Sequence, residues 1–116
     1  MALIFEPDRV AYDPDGCLLR LFATDGLMLV RCAVSKAALA ALEDDALAGP
    51  EAMTETYRRN AEQIQEIANR KYRNRQWENG DLVVVRFEDV TNLLNAQGQP
   101  VAAAASFQLP PQEMSS

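Results

Sequence analysis

The sequence contains no histidine at all. This absence excludes serine–histidine and cysteine–histidine nucleophile arrangements, histidine general bases and most catalytic zinc sites. The two cysteines, Cys17 and Cys32, are too few for a disulfide framework and lack the spacing of a metal site. The GxSxG and HExxH motifs and a glycine-rich phosphate loop are also missing. We therefore expect no catalytic, cofactor or metal residues, and a protein that is not an enzyme.

Long apolar runs are lacking too. No stretch approaches the roughly 18 apolar residues that a membrane span requires, and the start of the chain is neither basic nor long enough in apolar residues for a secretory signal. We expect a cytoplasmic protein with no membrane partner. Its 116 residues suit one domain, and its net charge of -6 opposes general attraction to nucleic acid.

Two turn motifs predict a three-stranded meander. DPDG at 13–16 suits a type I turn, and DG at 25–26 between apolar runs suits a type I′ hairpin. Strands are predicted near residues 9–12, 17–23 and 27–34, with Thr24 opposite Leu27. Alternation then gives one apolar face, the predicted core face. It comprises Val10, Tyr12, Cys17, Leu19, Leu21, Ala23, Met28, Val30, Cys32 and Val34.

The opposite face of the meander is the leading candidate site. The predicted register places Arg9, Arg20 and Arg31 side by side, where like charges destabilise one another. Compensation would come from carboxylates, from solvation or cover by the C-terminal tail, or from an anion or acidic partner. Leucines and a phenylalanine share this face, which favours an oligomer interface. The predicted contact residues are Arg9, Arg20, Phe22, Leu29 and Arg31.

Helical periodicity follows the meander. Ser35 is a candidate N-cap for a helix over residues 36–47, and Pro50 begins a long helix predicted to reach Asn74. Its buried arc comprises Met53, Tyr57, Ala61, Ile64, Ile67, Ala68 and Tyr72. A break at Asn79 and Gly80 precedes a last strand over residues 82–87.

The end of the long helix supplies the alternative site. Glutamates interleaved with the arginines favour a solvated face, with i,i+4 pairs Glu55–Arg59 and Glu66–Arg70. The last turn alone is net basic beside an aromatic residue, so weak nucleic-acid or anion binding is the second hypothesis. Its residues are Arg70, Lys71, Arg73, Arg75 and Trp77.

The acidic residues of the sequence offer only weak candidates for metal binding or catalysis. The run Glu43, Asp44 and Asp45 is interpreted as a solvated loop, with a metal or basic partner as its alternative. A histidine-free enzyme built on carboxylates such as Asp13 and Glu88 is the third and least supported hypothesis.

Together these patterns predict a two-layer α+β domain over residues 1–91, with an antiparallel sheet of about four strands and two helices on one face. Residues 92–116 are predicted to form a flexible C-terminal tail. The leading functional hypothesis is contact with a protein partner or a second copy, as a homodimer.

The order of these pieces resembles a bacterial family called domain of unknown function 1488. The resemblance rests on FEPDRVAYDPDG, on LLRLFATDGLMLVRCAVS, on an alanine- and leucine-rich helix, on a long helix with Arg59, Ile64, Ala68 and Tyr72, and on a closing strand with FEDV. It covers about residues 3–90 and implies a compact α+β fold. It implies no activity, cofactor or catalytic residue.

Overall fold

The fold is that of a computed structural model, which describes residues 3–15, 17–78 and 80–99, the side chains of residues 7 and 8 excepted. Four strands and four α-helices follow one another with a short 3₁₀ helix among them. In chain order they are β1 (Ile4–Asp13), β2 (Leu18–Asp25), β3 (Met28–Ser35), α1 (Lys36–Leu42), the 3₁₀ helix (Asp44–Ala48), α2 (Pro50–Arg59), α3 (Ala61–Arg73), β4 (Val83–Val85) and α4 (Phe87–Ala96).

The strands form one mixed sheet in the order β1-β2-β3-β4. The first two pairings are antiparallel, but β4 lies parallel to β3, with Cys32 opposite Val83. The predicted α+β class with a sheet of four strands is thus correct, whereas an all-antiparallel sheet and two helices are not. Parallel neighbours require a crossover connection, and α1 to α3 supply it.

Both predicted hairpin loops are displaced by one residue. Asp25 pairs with Met28, so Gly26 and Leu27 form the loop that was predicted at 25–26. The angle φ is +64° at Gly26 and is not positive at Leu27, which favours a type II′ turn, with glycine at its first central position, over type I′. At the other end Asp13 pairs with Leu18. The observed pairing therefore differs from the predicted register by two residues.

A displacement of two residues leaves every side chain on its predicted face, because the faces of a strand alternate with period two. Leu19, Leu21 and Cys32 are buried in the main core as expected. Val10 and Tyr12 are partly buried against this core, and two members of the predicted core face are exposed. Cys17 lies exposed in the turn with φ of +52°, and Met28 is exposed where β3 begins.

The predicted cap and buried arc of the helices are confirmed, but their continuity is not. The Oγ of Ser35 accepts a hydrogen bond from the backbone N–H of Ala38 at 3.0 Å, and Pro50 begins α2. The helix predicted over 50–74 is broken at Asn60, whose Nδ2 donates to Glu43 Oε2 and to the carbonyl of Thr56. The helix predicted over 36–47 likewise ends at Leu42.

The chain beyond β4 continues into α4. The carboxylate of Asp89 accepts a hydrogen bond from the backbone N–H of Arg86 at 2.8 Å, which fixes the start of this helix. Val90, Leu93 and Leu94 then bury its inner side in the core. The tail predicted from residue 92 therefore begins too early, because residues 92–96 are helical. The rest of that predicted tail, from residue 100, lies outside the described residues.

The four helices cover one face of the sheet. Their buried apolar side chains join those of the predicted core face in one cluster, which includes Leu39, Met53, Tyr57, Ile64 and Val90. Within the described part of the chain, no helix is long and apolar enough to cross a membrane.

Candidate functional site

The sheet face opposite the helices is called the open face below. By the observed pairing, it comprises Ile4, Ala11, Asp13, Leu18, Arg20, Phe22, Thr24, Leu29, Arg31, Ala33, Ser35 and Val84, with Arg9 lying over Phe22. The buried cluster on this face consists of Leu18, Ala33 and Val84, packed with Leu82. No described helix contributes to that cluster, so the face is built from the strands and the residues beside them.

The arginines of the open face do not form the predicted row. Arg20 lies opposite Ala33, and Arg31 lies opposite Phe22, because of the two-residue displacement. Arg9 belongs to a bulge in β1, where residues 6–9 together face the single residue Phe22. Its guanidinium lies 4.4 Å from the centre of that ring, within the range of a cation–π contact. The like charges are thus staggered instead of directly opposed.

Each arginine of the open face also has a carboxylate partner in its own chain. Arg20 donates to Asp13 Oδ2 at 3.1 Å, and Arg9 contacts Glu6 at 3.5 Å. Arg31 forms an ion pair with Asp81. Of the alternatives left open by the sequence, carboxylates from elsewhere in the chain are the ones observed. The face is therefore close to electrically neutral.

The end of the open face nearest the β2–β3 hairpin is apolar and exposed. Ile4 and Leu29 expose 68% and 62% of their surface, and Thr24 lies between them. Met28, which precedes Leu29 but lies on the opposite face of β3, exposes 61%. Leu27, at the tip of the turn, is fully exposed. At the other end of the face, Ala33 and Val84 have no exposed surface. The exposed apolar area is thus confined to the hairpin end.

A cleft opens beside this exposed area, and it is called the hairpin cleft below. Its volume is about 150 Å³, and its walls are Met28, Leu29, Val30, Tyr72, Trp77 and Asp81. The rings of Tyr72 and Trp77 lie 6.3 Å apart and are tilted by 42°. The Tyr72 hydroxyl donates to Asp25 Oδ2 at 2.7 Å, and this hydrogen bond raises the pKa of Tyr72. The end of α3 is thereby fixed to the hairpin.

The sequence assigned the parts of this cleft to two different hypotheses. Leu29 was a predicted contact residue, whereas Trp77 was grouped with the basic end of the helix. Tyr72 was correctly expected on the inner side of α3. The one signal that could have united them is an exposed tryptophan close to a hairpin with an apolar tip. Their proximity itself depends on α3 packing beside the start of β3.

The basic end of α3 is only partly available to a ligand. Arg70 donates to Glu66 at 3.2 Å, which confirms the predicted i,i+4 pair. Lys71 has 13% of its side chain exposed and donates to Asp89 Oδ2 and to the carbonyl of Val84. Arg73 and Arg75 are exposed, and neither is ion-paired with another described residue. Of the basic residues predicted to bind an anion or nucleic acid, these two arginines are therefore the ones left available to a ligand.

The acidic residues singled out in the sequence also have structural partners. Glu43 accepts hydrogen bonds from Arg59 and Asn60, which lower the pKa of its carboxyl group. Arg59 therefore pairs with Glu43 instead of the predicted Glu55, which contacts Arg58. Asp13 is paired with Arg20, and Glu88 lies exposed in the first turn of α4. Among the described residues, no cluster of three acidic or cysteine side chains could hold a metal ion.

The fold and the site together define a small α+β domain whose distinctive surface is an apolar, charge-neutralised sheet face. The chain belongs to the family described as protein of unknown function (DUF1488), whose model matches residues 3–84. No match to the chain is found among curated proteins.

Among solved structures, the chain is similar to the crystal structure of a protein of unknown function from the DUF1488 family from Shewanella loihica PV-4. The two share 15% sequence identity with a TM-score of 0.66, and the likeness covers 72% of this chain and 91% of that one. At this identity the likeness shows the fold alone. It agrees with the α+β fold that the family resemblance implied.

Proposed function

We propose that this protein is a non-enzymatic, cytoplasmic contact module that associates with a second copy of itself through the open face. The observation that carries the proposal is the exposed apolar surface at the hairpin end of that face, formed by Ile4 and Leu29 with Leu27 at the tip of the turn. Antiparallel sheets with one face in water normally carry polar side chains there. Apolar side chains in those positions are typical of a face that is covered in the working protein.

The charges of the open face favour a second copy as the partner. The chain carries a net charge of -6, so two copies repel each other over most of their surfaces. The open face is a surface where this repulsion is small, because Arg9, Arg20 and Arg31 are each matched by a carboxylate. A strongly basic or acidic partner would have little electrostatic attraction to such a face. A second, identical and nearly neutral face can pack against it without repulsion.

The size of the surface sets the extent of the contact. A standard interface covers about 800 Å² on each partner, whereas an exposed apolar patch on a monomer typically covers about 300 to 600 Å². An apolar patch of that typical size is too small to form a stable dimer on its own. The contact must extend over Phe22 and the arginine–carboxylate pairs, which would form the polar rim that interfaces usually have.

Substitution of Leu29 tests the proposal. Light scattering behind a sizing column should give the mass of a dimer for the unaltered chain and of a monomer for Leu29→Glu, since a buried carboxylate opposes association. Leu47→Glu is the matched control, because Leu47 is also an exposed leucine but lies on the 3₁₀ helix. The unaltered chain measured as a monomer at high micromolar concentration would refute self-association.

The same column distinguishes the second hypothesis of nucleic-acid binding. Simultaneous absorbance at the nucleic-acid and protein wavelengths would reveal bound nucleic acid. Binding that weakens steeply with salt, and that is lost in the Arg73→Glu and Arg75→Glu variants, would identify the end of α3 as the binding site. We expect neither, because only these two arginines of the group lack an ionic partner among the described residues.

A further inference from the structure

The hairpin cleft and the hairpin tip lie side by side on one surface. Leu27 follows Gly26 in the turn and is fully exposed, and the next two residues, Met28 and Leu29, both line the cleft. A projecting apolar side chain is thus adjacent to an apolar recess. In a two-fold dimer, both copies present the same patch to each other. One symmetric contact can therefore place the projecting side chain of each copy in the recess of the other.

We propose that the hairpin cleft receives Leu27 from a second copy of the chain, while the cleft of that copy receives Leu27 in return. This inference rests on the proposed self-association and specifies how it is achieved. It places the two-fold axis close to the two hairpins. The contact through the open face then continues outward from this reciprocal insertion.

The dimensions of the cleft fit one leucine side chain. Its volume of about 150 Å³ matches an engineered cavity, also of about 150 Å³, that is large enough to bind benzene. Its walls are mainly apolar and are formed by the rings of Tyr72 and Trp77 together with Met28, Leu29 and Val30. Trp77 is 42% exposed, so part of the ring is available to a group that enters. An apolar side chain therefore suits the recess better than a charged ligand.

The charges around the cleft are self-complementary. Asp81 lies at its rim and forms an ion pair with Arg31 of the same chain. A two-fold contact at this place brings the Arg31–Asp81 pair against an identical pair, while Asp25 of each copy accepts the hydrogen bond from its own Tyr72. Each arginine can then face the aspartate of the other copy, so that neither member of the pair is buried without an opposite charge.

Disulfide trapping tests the reciprocal insertion directly. One full-length chain carries Leu27→Cys and a second, distinguished by a tag, carries Asp81→Cys, both with Cys17→Ser. Cys32 stays in place, because burial raises its pKa to about 12 and keeps it from competing. On mild oxidation, we expect the mixed 27–81 disulfide to form at least tenfold more than a mixed 47–81 disulfide from a Leu47→Cys control chain.

The outcomes separate the two proposals. A dimer by light scattering in which 27–81 trapping does not exceed the 47–81 control overturns the reciprocal insertion and leaves self-association through the open face intact. A monomer overturns both.

The affinity of dimerisation gives a second readout. Leu27→Ala should weaken dimerisation about 100-fold, roughly tenfold for each of two buried leucines, whereas Leu27→Met should change the dimer affinity by no more than about tenfold. Equal dimer affinities for the two variants would contradict the insertion.

Discussion

The ammonium group of Lys71 on α3 lies 2.7 Å from Oδ2 of Asp89 on α4 and also donates to the carbonyl of Val84 at 2.8 Å. Asp89 in turn holds the backbone N–H of Arg86 at the start of α4. One lysine therefore joins two helices and the outermost strand of the sheet. A residue that the sequence assigned to nucleic-acid binding is thus part of the structural framework.

Removal of this ammonium group should destabilise the fold. We expect Lys71→Met to lower the free energy of unfolding by about 2 kcal/mol, because a largely buried carboxylate and a carbonyl lose their donor. Urea unfolding followed by circular dichroism measures the change. Arg70→Met is the matched control, since its exposed pair with Glu66 contributes little. Equal effects of the two substitutions would show that Lys71 has no such role.

The carboxylate of Glu43 should make stability depend on pH in the acid range. Its folded-state pKa lies below the ordinary value of 4.5, mainly because Arg59 and Asn60 donate to it. The stability that the ionised Glu43 carboxylate provides is therefore fully present above the ordinary pKa. It is lost as pH falls through the lowered, folded-state pKa.

Glu43→Gln should accordingly lower the melting temperature by a few degrees at neutral pH and by progressively less as the solution is acidified. Thermal melts from pH 7 to pH 3 provide the measurement. Glu51→Gln removes the same charge from an exposed position in the first turn of α2 and serves as the control. A constant difference between Glu43→Gln and the unaltered chain at all pH values would exclude this ionic contribution.

Thr56 offers a stabilising substitution. Its side chain is fully buried on α2, and its Oγ1 has no hydrogen-bond partner among the described residues. Thr56→Val has the same shape without the hydroxyl group, so it should raise the free energy of unfolding by about 1 kcal/mol. Chemical denaturation measures this gain. Thr54→Val, whose hydroxyl donates to the carbonyl of Pro50 at 3.1 Å, should show no gain. A loss at Thr56 would reveal that its hydroxyl group has a partner.

The two cysteines should react at very different rates. Cys17 is exposed in its turn, whereas Cys32 is buried and its pKa is raised to about 12. A thiol reagent at pH 8 should modify one equivalent rapidly and the second only after unfolding, because the thiolate is the reactive form. Mass spectrometry of Cys17→Ser should show no rapid modification. Rapid reaction of that variant would mean that β3 opens readily.

The sequence determined which face of each strand and helix is buried. Leu19, Leu21 and Cys32 are in the core because apolar residues alternate along β2 and β3, and Met53, Ile64 and Ala68 are there because they recur with the helical period. The cap at Ser35 and the start of α2 at Pro50 also followed from residues close in sequence. These features depend on local geometry, so the chain carries a readable signal for each.

Tertiary structure alone decided the register, the direction of β4 and the partners of the charged residues. A displacement by two residues preserves every face, so alternation could not detect it, and it separated Arg20 from Arg31. The partner of Arg31 is Asp81, 50 positions away, and no local pattern indicates such a pair. Asn60 interrupts the helix through Glu43, again a distant residue. The hairpin cleft arises in the same way, because long-range packing brings α3 and Trp77 beside the start of β3.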